Sequence, residues 1–560
     1  MAEAQKTPPV APEAMDTVHK GVNTRNRAWK LGAEEFSDGT NIEIDRLGQW
    51  SRTRGDTPFG GIVGAPGGLG QFRDHSTSEQ VAWAVFGSEL YRSDGDSLWL
   101  RSACGVSFVS DRLHMFVEGN WFGASGDQRA LYAAQAEPSS GQTLASGIVA
   151  FKGVNAADFS QQASYTPVCI TYFQNRLWKA NDTTRGDGND LAWSELDDGL
   201  TFSPANELTI EAGLGGRITA LLPSRDNSPN LWILKESAIV LLRPQWGTAG
   251  SLIPGLGDEL DTVNSSVRVL TSGVGCVATR SVATVPGLPG IDVLFLARDG
   301  VRGLQRADGD EQLGAGLPLT YNIPDFIERI NFDAAHKAVG AIFENAYHLA
   351  VPLDGAVENT HVLRFDLFQN SWSLFDISAR DMRIVPFSNE DRLFYQAIDA
   401  AGDCSTTGVA DSGTFQVYRA FAGDARPGGS LPSYDFRTRA FSFGDPLTKK
   451  HWHELSFSAS LDAGETHYVT LLAAVDLKDW STIASVAVSV PDPGIVFGTT
   501  PLPWALPEKQ FVTRHVSLED VAPGFFVQFR LINSTDFARP VFYNLRLRAE
   551  LGQFEYDNEV

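Results

Sequence analysis

Cysteine is scarce in this chain: 4 residues among 560, at Cys104, Cys169, Cys276 and Cys404. No two of them form a Cys-x-x-Cys pair, which excludes a zinc knuckle and leaves no disulfide framework. Buried free thiols are the expected state. Methionine is equally rare, at 4 residues, and long Leu/Ala/Glu/Lys heptads are missing, which excludes a helical bundle. Basic charge is short as well. With 45 Lys and Arg against 68 Asp and Glu, the net charge is −23 and the pI about 4.8. A stable grip on phosphates needs clustered Lys and Arg, so tight nucleic-acid binding is excluded. No apolar run approaches the roughly 18 residues of a membrane span. Residues 1–16 lack the apolar stretch of a signal peptide, so a soluble, cytoplasmically made chain without membrane insertion is expected.

What is plentiful points to sheets. Gly 53, Pro 28 and Trp 13 suit a fold of many tight turns with bulky inner faces. Residues 1–20 are rich in Ala, Pro and Glu and read as a flexible N-terminal arm. Residues 21–79 read as a hairpin-and-loop segment, with a short helix candidate at Trp29–Phe36. The glycine-rich stretch from Gly60 to Gly70 has no following Gly-Lys-Ser/Thr and is expected to be a loop, not a phosphate cradle. From 80 to 428 short apolar or alternating runs follow one another, among them Ala82–Phe86, Val168–Phe173, Ala238–Leu242, Ala338–Phe343 and Tyr347–Val351. Turn clusters such as Ser93-Asp94-Gly95-Asp96 and Gly186-Asp187-Gly188-Asn189-Asp190 separate them.

A loose repeat runs through this region. Asp111-Arg112-Leu113-His114, Asn175-Arg176-Leu177-Trp178 and Asp391-Arg392-Leu393-Phe394 share one order, and Pro229-Asn230-Leu231-Trp232 is a weaker copy. Recurrent strand openings suggest repeated sheets that bury their faces only against neighbours. Beyond Pro427–Pro432 the alternation becomes cleaner. In Val541–Leu551 the odd positions are all apolar, and residues 433–552 read as a half-buried sandwich. The expected fold is therefore all-β, an irregular β-propeller over 80–428 with a C-terminal β-sandwich domain over 433–552.

Candidate chemistry is thin. Glu195-Leu196-Asp197-Asp198-Gly199-Leu200-Thr201-Phe202 approximates the Asp-box of sialidase-type propellers, a hairpin device without catalytic content. The arginine cluster, Tyr nucleophile and acid/base Asp of a sialidase are not recognisable. His451-Trp452-His453 puts two imidazoles on one strand face, but Lys449 and Lys450 beside them disfavour a cation and no third ligand follows at metal-site spacing. Arg185-Gly186-Asp187 and the neighbouring acids do not keep EF-hand order. No nucleophile elbow or His-Glu-x-x-His occurs. Catalytic, cofactor and metal residues are all expected to be none.

The order of segments resembles the nozzle or stabilisation-type tail proteins of short-tailed bacteriophages. The resemblance rests on Gly21-Val22-Asn23-Thr24-Arg25, Gly48-Gln49-Trp50 with Arg54-Gly55, Asn175–Ala180 with Trp193-Ser194, and Gly215–Leu222 with Leu231–Leu242. Val293–Val301, Phe365-Asp366 with Trp372-Ser373, and Thr438-Arg439 with Lys449–Leu455 continue it. It implies a non-enzymatic virion protein without a cofactor, a homo-oligomeric ring (a hexamer) below portal and adaptor. It further implies tail-fibre partners and DNA passing transiently through an acidic lumen without stable binding. A host-glycan-binding or fibre-attachment module and a glycan-degrading propeller enzyme are the alternatives.

Overall fold

Period-two alternation and β-branched runs become short antiparallel strands joined by tight turns. Gln174-Asn175, between Phe173 and Arg176, and Glu344-Asn345, between Phe343 and Ala346, have positive φ at both positions (50° and 57°; 47° and 59°). That is the two-residue hairpin whose twist matches paired strands. The structure, a computed structural model, describes residues 12–59, 66–73, 80–94, 98–101, 108, 112–120, 129–135, 147–152, 159–184, 186–223, 230–247, 260, 265–285, 291–304, 318–387, 390–397, 417–427, 429–462, 464–490, 510–533 and 538–551. Cys104, Cys404, Asp111, Arg185, Pro229 and most of the N-terminal arm lie outside them. Among the described residues the one α-helix is the short Pro324–Glu328.

Four sheets follow one another as meanders. Sheet A comprises Pro66–Arg73, Gln80–Phe86, Glu89–Asp94 and Leu98–Arg101, and sheet B comprises His114–Asn120, Arg129–Gln135, Ile148–Phe151 and Phe159–Gln162. Sheet C comprises Pro167–Phe173, Arg176–Asp182, Asp190–Trp193 and Glu207–Thr209, and sheet D comprises Ile218–Pro223, Leu231–Lys235, Ala238–Arg243 and Ser266–Ser272. Sheet E has Ala283–Thr284, Val293–Ala297 and Gly300–Leu304. Sheet F opens with Val339–Phe343, Ala346–Val351, His361–Asp366 and Ser371–Phe375, and sheet G with Ala379–Phe387, Glu390–Ala397 and Val417–Gly423.

The inner strands of these sheets are covered on both faces, which explains runs that are apolar throughout, whereas outer strands such as Ser266–Ser272 are exposed. Trp83 and Phe72 of sheet A pack on Phe116 and Phe151 of sheet B. Trp178 and Trp193 of sheet C pack on Ile218 and Ile233 of sheet D. Sheets B and C share Tyr132 and Ile170, and sheets D and E share Trp232 and Phe295. Sheets E and F share Leu296 and Tyr347, and sheets F and G share Val362 and Tyr395. Phe394 and Val417 of sheet G meet Leu69 and Ala84 of sheet A.

Residues from the two ends of the chain are woven together. Gly55–Pro58 adds a strand to sheet G. Asp38–Thr40 joins Ser371–Phe375 on one side and Asp435–Arg437 on the other, so sheet F runs on through Val527–Asn533, Thr466–Val475 and Ser481–Ser489 as a 9-stranded sheet. A 6-stranded sheet H faces it, with Gln510–Ser517, Lys450–Leu461, Val541–Leu551, Trp50–Arg52, Ile42–Ile44 and Glu13–Met15. Between them Trp50 is stacked on Phe436 at 4.2 Å and Phe542 at 4.0 Å.

The expected architecture is corrected accordingly. The class is all-β, but no sheet closes on itself or curls strongly, so the propeller expectation is replaced by open sheets stacked face to face. Strands that bury both faces against neighbours need no hydrogen-bonded closure. Nor is the sandwich built from C-terminal residues alone. Strands from residues 13–52 complete both of its sheets, and one of those sheets continues into sheet F. Trp29–Phe36, expected as a helix, is a 3₁₀ turn at Ala28–Lys30 followed by a strand at Glu35–Phe36. The even alternation in Val541–Leu551 breaks at Tyr543. There the register slips against Ser458–Ala459, and Phe542 turns inward in place of Tyr543.

Candidate functional site

The first strands of neighbouring sheets touch one another, and between five of the sheets they leave an open cavity of about 690 Å³. Gln71 comes from sheet A, Phe116, Glu118 and Leu131 from sheet B, and Thr284 from sheet E. Gly340 and Ile342 come from sheet F, and Met382, Arg383, Ile384 and Asp391 from sheet G. The buried apolar lining residues Phe116, Leu131 and Met382 are taken as its floor, and the exposed Thr284 and Asp391 as its rim. Alternation places these side chains here: Phe116 and Glu118, or Met382 and Ile384, lie two apart and share a strand face.

Arg383 crosses from sheet G, its Nε donating to Leu69 O and one terminal nitrogen to Phe116 O, each at 3.3 Å. Two of its five N–H donors are so occupied, and the side chain is held in place. Glu118 lies 3.8 Å from Arg129 and is about a third exposed (31%). The lining thus combines an amide, a fixed guanidinium, two carboxylates and a hydroxyl above an apolar base.

Behind these residues several buried polar groups are paired, although His114 Nε2 has no hydrogen-bond partner among the described residues. Arg280 donates to Asp381 Oδ1 at 3.0 Å, to Arg380 O and to Lys337 O. Leu69 N donates to Asp381 Oδ2 at 2.6 Å, and Gly68 N to Gln396 Oε1 at 2.8 Å. His114 Nδ1 is 2.9 Å from Gly67 O, and burial pushes this imidazole down to about 4, so it is neutral.

The candidates raised by sequence lie elsewhere and do not converge. Asp198 of the Asp-box accepts from Leu200 N and Thr201 N at 3.1 and 3.2 Å, and Glu195 accepts from Asn206, so the segment is a turn clasp at the edge of sheet C. Asp187 likewise caps its own turn through Asn189 N at 3.1 Å. His451 and His453 lie exposed on sheet H, where His453 pairs with Glu550 at 3.4 Å. Among the described residues no three His, Cys, Asp or Glu side chains are grouped to hold a metal. Burial raises both described thiols, Cys276 to about 11. The repeat is not uniform: Leu113-His114 opens a first strand, whereas Arg176, Leu231 and Leu393 lie on second strands. Of the polar cavity residues only Asp391 stands out in the sequence, as a turn acid, while Gly340 and Ile342 belong to the apolar run Ala338–Phe343. Gln71, Glu118 and Arg383 carried no local signal, because five separate sheets bring the lining together.

No family model matches the chain, and no curated protein matches it. Among solved structures it is similar to BBS1N, described in complex with ARL6DN, at 9% identity over 66% of this chain and 96% of that chain, with a TM-score of 0.37. It is similar to an exo-β-1,3-galactanase from Phanerochaete chrysosporium at 8% identity over 89% and 99%, with a TM-score of 0.24. A β-fructofuranosidase from Schwanniomyces occidentalis is matched at 8% identity over 91% and 100%, with a TM-score of 0.22. None of these is a phage tail protein, and two are enzymes of sugars by their names. The expectations of a phage tail nozzle or hub and of a chain without enzymatic activity are corrected on that finding. At such low TM-scores no activity passes from these proteins to this chain.

Proposed function

We propose that the chain is a carbohydrate-binding protein that receives a sugar in the cavity among sheets A, B, E, F and G. The observation that carries this reading is the lining itself: Gln71, Glu118 and Arg383 stand over Phe116, Leu131 and Met382. A sugar offers paired hydroxyls, which planar amide, carboxylate and guanidinium groups can donate to and accept from together. Its C–H faces need an apolar surface, and the floor supplies one. Two carboxylates in the lining disfavour phosphate-bearing ligands by like-charge repulsion. Calorimetric titration of the full chain with oligosaccharides chosen by a glycan array tests the reading. Glu118→Gln is expected to weaken binding by about tenfold to a hundredfold, the worth of a hydrogen bond to a charged group. Unchanged affinity in Glu118→Gln and Arg383→Met, with both variants folded, contradicts it.

One observation favours turnover as well. Glu118 and Asp391 come from different sheets and border one cavity, and glycoside hydrolysis uses two carboxyl groups flanking the scissile bond. Release of reducing ends by the wild-type chain, lost in both Glu118→Gln and Asp391→Asn, is the expected result of that reading. Binding without release restricts the chain to recognition.

A further inference from the structure

We infer that the cavity has one open mouth and a closed inner end, so that it accepts the end of a glycan chain and excludes its interior. This rests on the carbohydrate reading of the site. The seal is made of buried polar groups, of which Arg280 and Asp381 are paired with each other. Arg280 and Asp381 are only 8% and 4% exposed, and His114 and Gln396 are buried beside them. Together they tie four of the bordering sheets and the turn before sheet E. Arg280 reaches the backbone at Lys337, ahead of sheet F, and at Arg380 in sheet G. Asp381 reaches Leu69 of sheet A, and Arg383 reaches Phe116 of sheet B.

The strands set the direction and depth. Leu69, Arg280, Lys337 and Asp381 lie at or before the starts of the lining stretches. Gln71, Thr284, Ile342 and Ile384 follow them in sequence, so the cavity opens in the direction in which the first strands run. Met382 on the floor pairs with Tyr395, and Asp391 on the rim pairs with Pro386. At roughly 3.3 Å per residue, floor and rim are about 13 Å apart along the strand. A ligand that enters must stop at the Phe116–Met382 floor. Opening a through-passage would expose the Arg280–Asp381 pair and break contacts to several sheets at once, which a bound sugar's hydroxyls cannot offset. A linear glycan therefore enters by one terminus and leaves by the same mouth, with its remainder passing Glu118 and Asp391 outward.

The test uses the unmodified full chain and, as probe, the array oligosaccharide with the highest signal. That oligosaccharide is prepared free, with a bulky fluorophore on its reducing end, and with a bulky acetal on its non-reducing terminal sugar. Blocking one particular end is expected to weaken binding at least about tenfold, since the lost fit leaves buried polar groups unpaired, while blocking the other end changes little. Equal tolerance of both blocks overturns the inference and leaves sugar binding standing. Equal loss with either block also overturns it, because only one terminus can sit at the floor. Absence of any array signal overturns the carbohydrate reading and this inference with it.

Discussion

Trp50 sits between two rings at nearly parallel angles of 16° and 12°, with Tyr434 edge-on at 5.5 Å. Removing it leaves a cavity bounded by both faces of the sandwich, so Trp50→Ala is expected to cost about 3–5 kcal/mol, read as a lowered denaturation midpoint. The buried imidazoles act through pH. Burial pushes His114 down to about 4 and His348 to about 3, below the usual 6.5. The folded protein holds both neutral while the unfolded chain protonates them, so their stabilising contribution is whole above 6.5 and is lost as pH falls toward 4. Asp56 works in the opposite sense, since burial raises its carboxyl. The clean readout is therefore a difference between proteins. In His348→Phe, packed near Phe421, the loss of midpoint between pH 7 and 5 is expected to be smaller than in the wild type. An identical pH slope contradicts this assignment.

Among elements, the strand Gly55–Pro58 shows how distant parts are joined. Asp56 accepts from Tyr395 Oη at 2.8 Å and from Arg426 at 2.9 Å, and Arg426 also holds Asp376 at 3.0 Å and Asn41 at 3.3 Å. Breaking one side of a buried pair costs about 3–5 kcal/mol, which sets the expectation for Arg426→Met at neutral pH. Asp56 already has a raised pKa, so in that variant protonation relieves the stranded charge. The deficit is expected to shrink as pH falls toward 5 and to grow as pH rises; a deficit independent of pH contradicts the latch as described. Strand positions were legible in sequence because apolar runs such as Val168–Phe173 and Tyr347–Val351 have one stable solution. Partners were not. Nothing local in Asp38-Gly39-Thr40 tells that it will stand between Leu374 and Phe436, and the slip at Tyr543 depends on the opposing strand. The parallel contact and the latch both join residues more than 300 positions apart, where alternation within a window says nothing.

At the scale of the molecule, the cavity among the open sheets is, within the described residues, a place where polar side chains of several strands meet. Its residues were invisible in sequence for a physical reason: Gln71, Glu118, Arg383 and Asp391 are ordinary polar members of four strands, and only the packing of sheets brings them together. With 68 Asp and Glu in the chain, nothing in the sequence sets Glu118 and Asp391 apart. The most direct measurement is a density map of the full chain soaked with the oligosaccharide of highest array signal. The expected result is a sugar ring seated on Phe116 and Met382, its hydroxyls within hydrogen-bond distance of Glu118, Gln71 and Arg383. A bound sugar found anywhere else, with this cavity filled by water, contradicts the assignment.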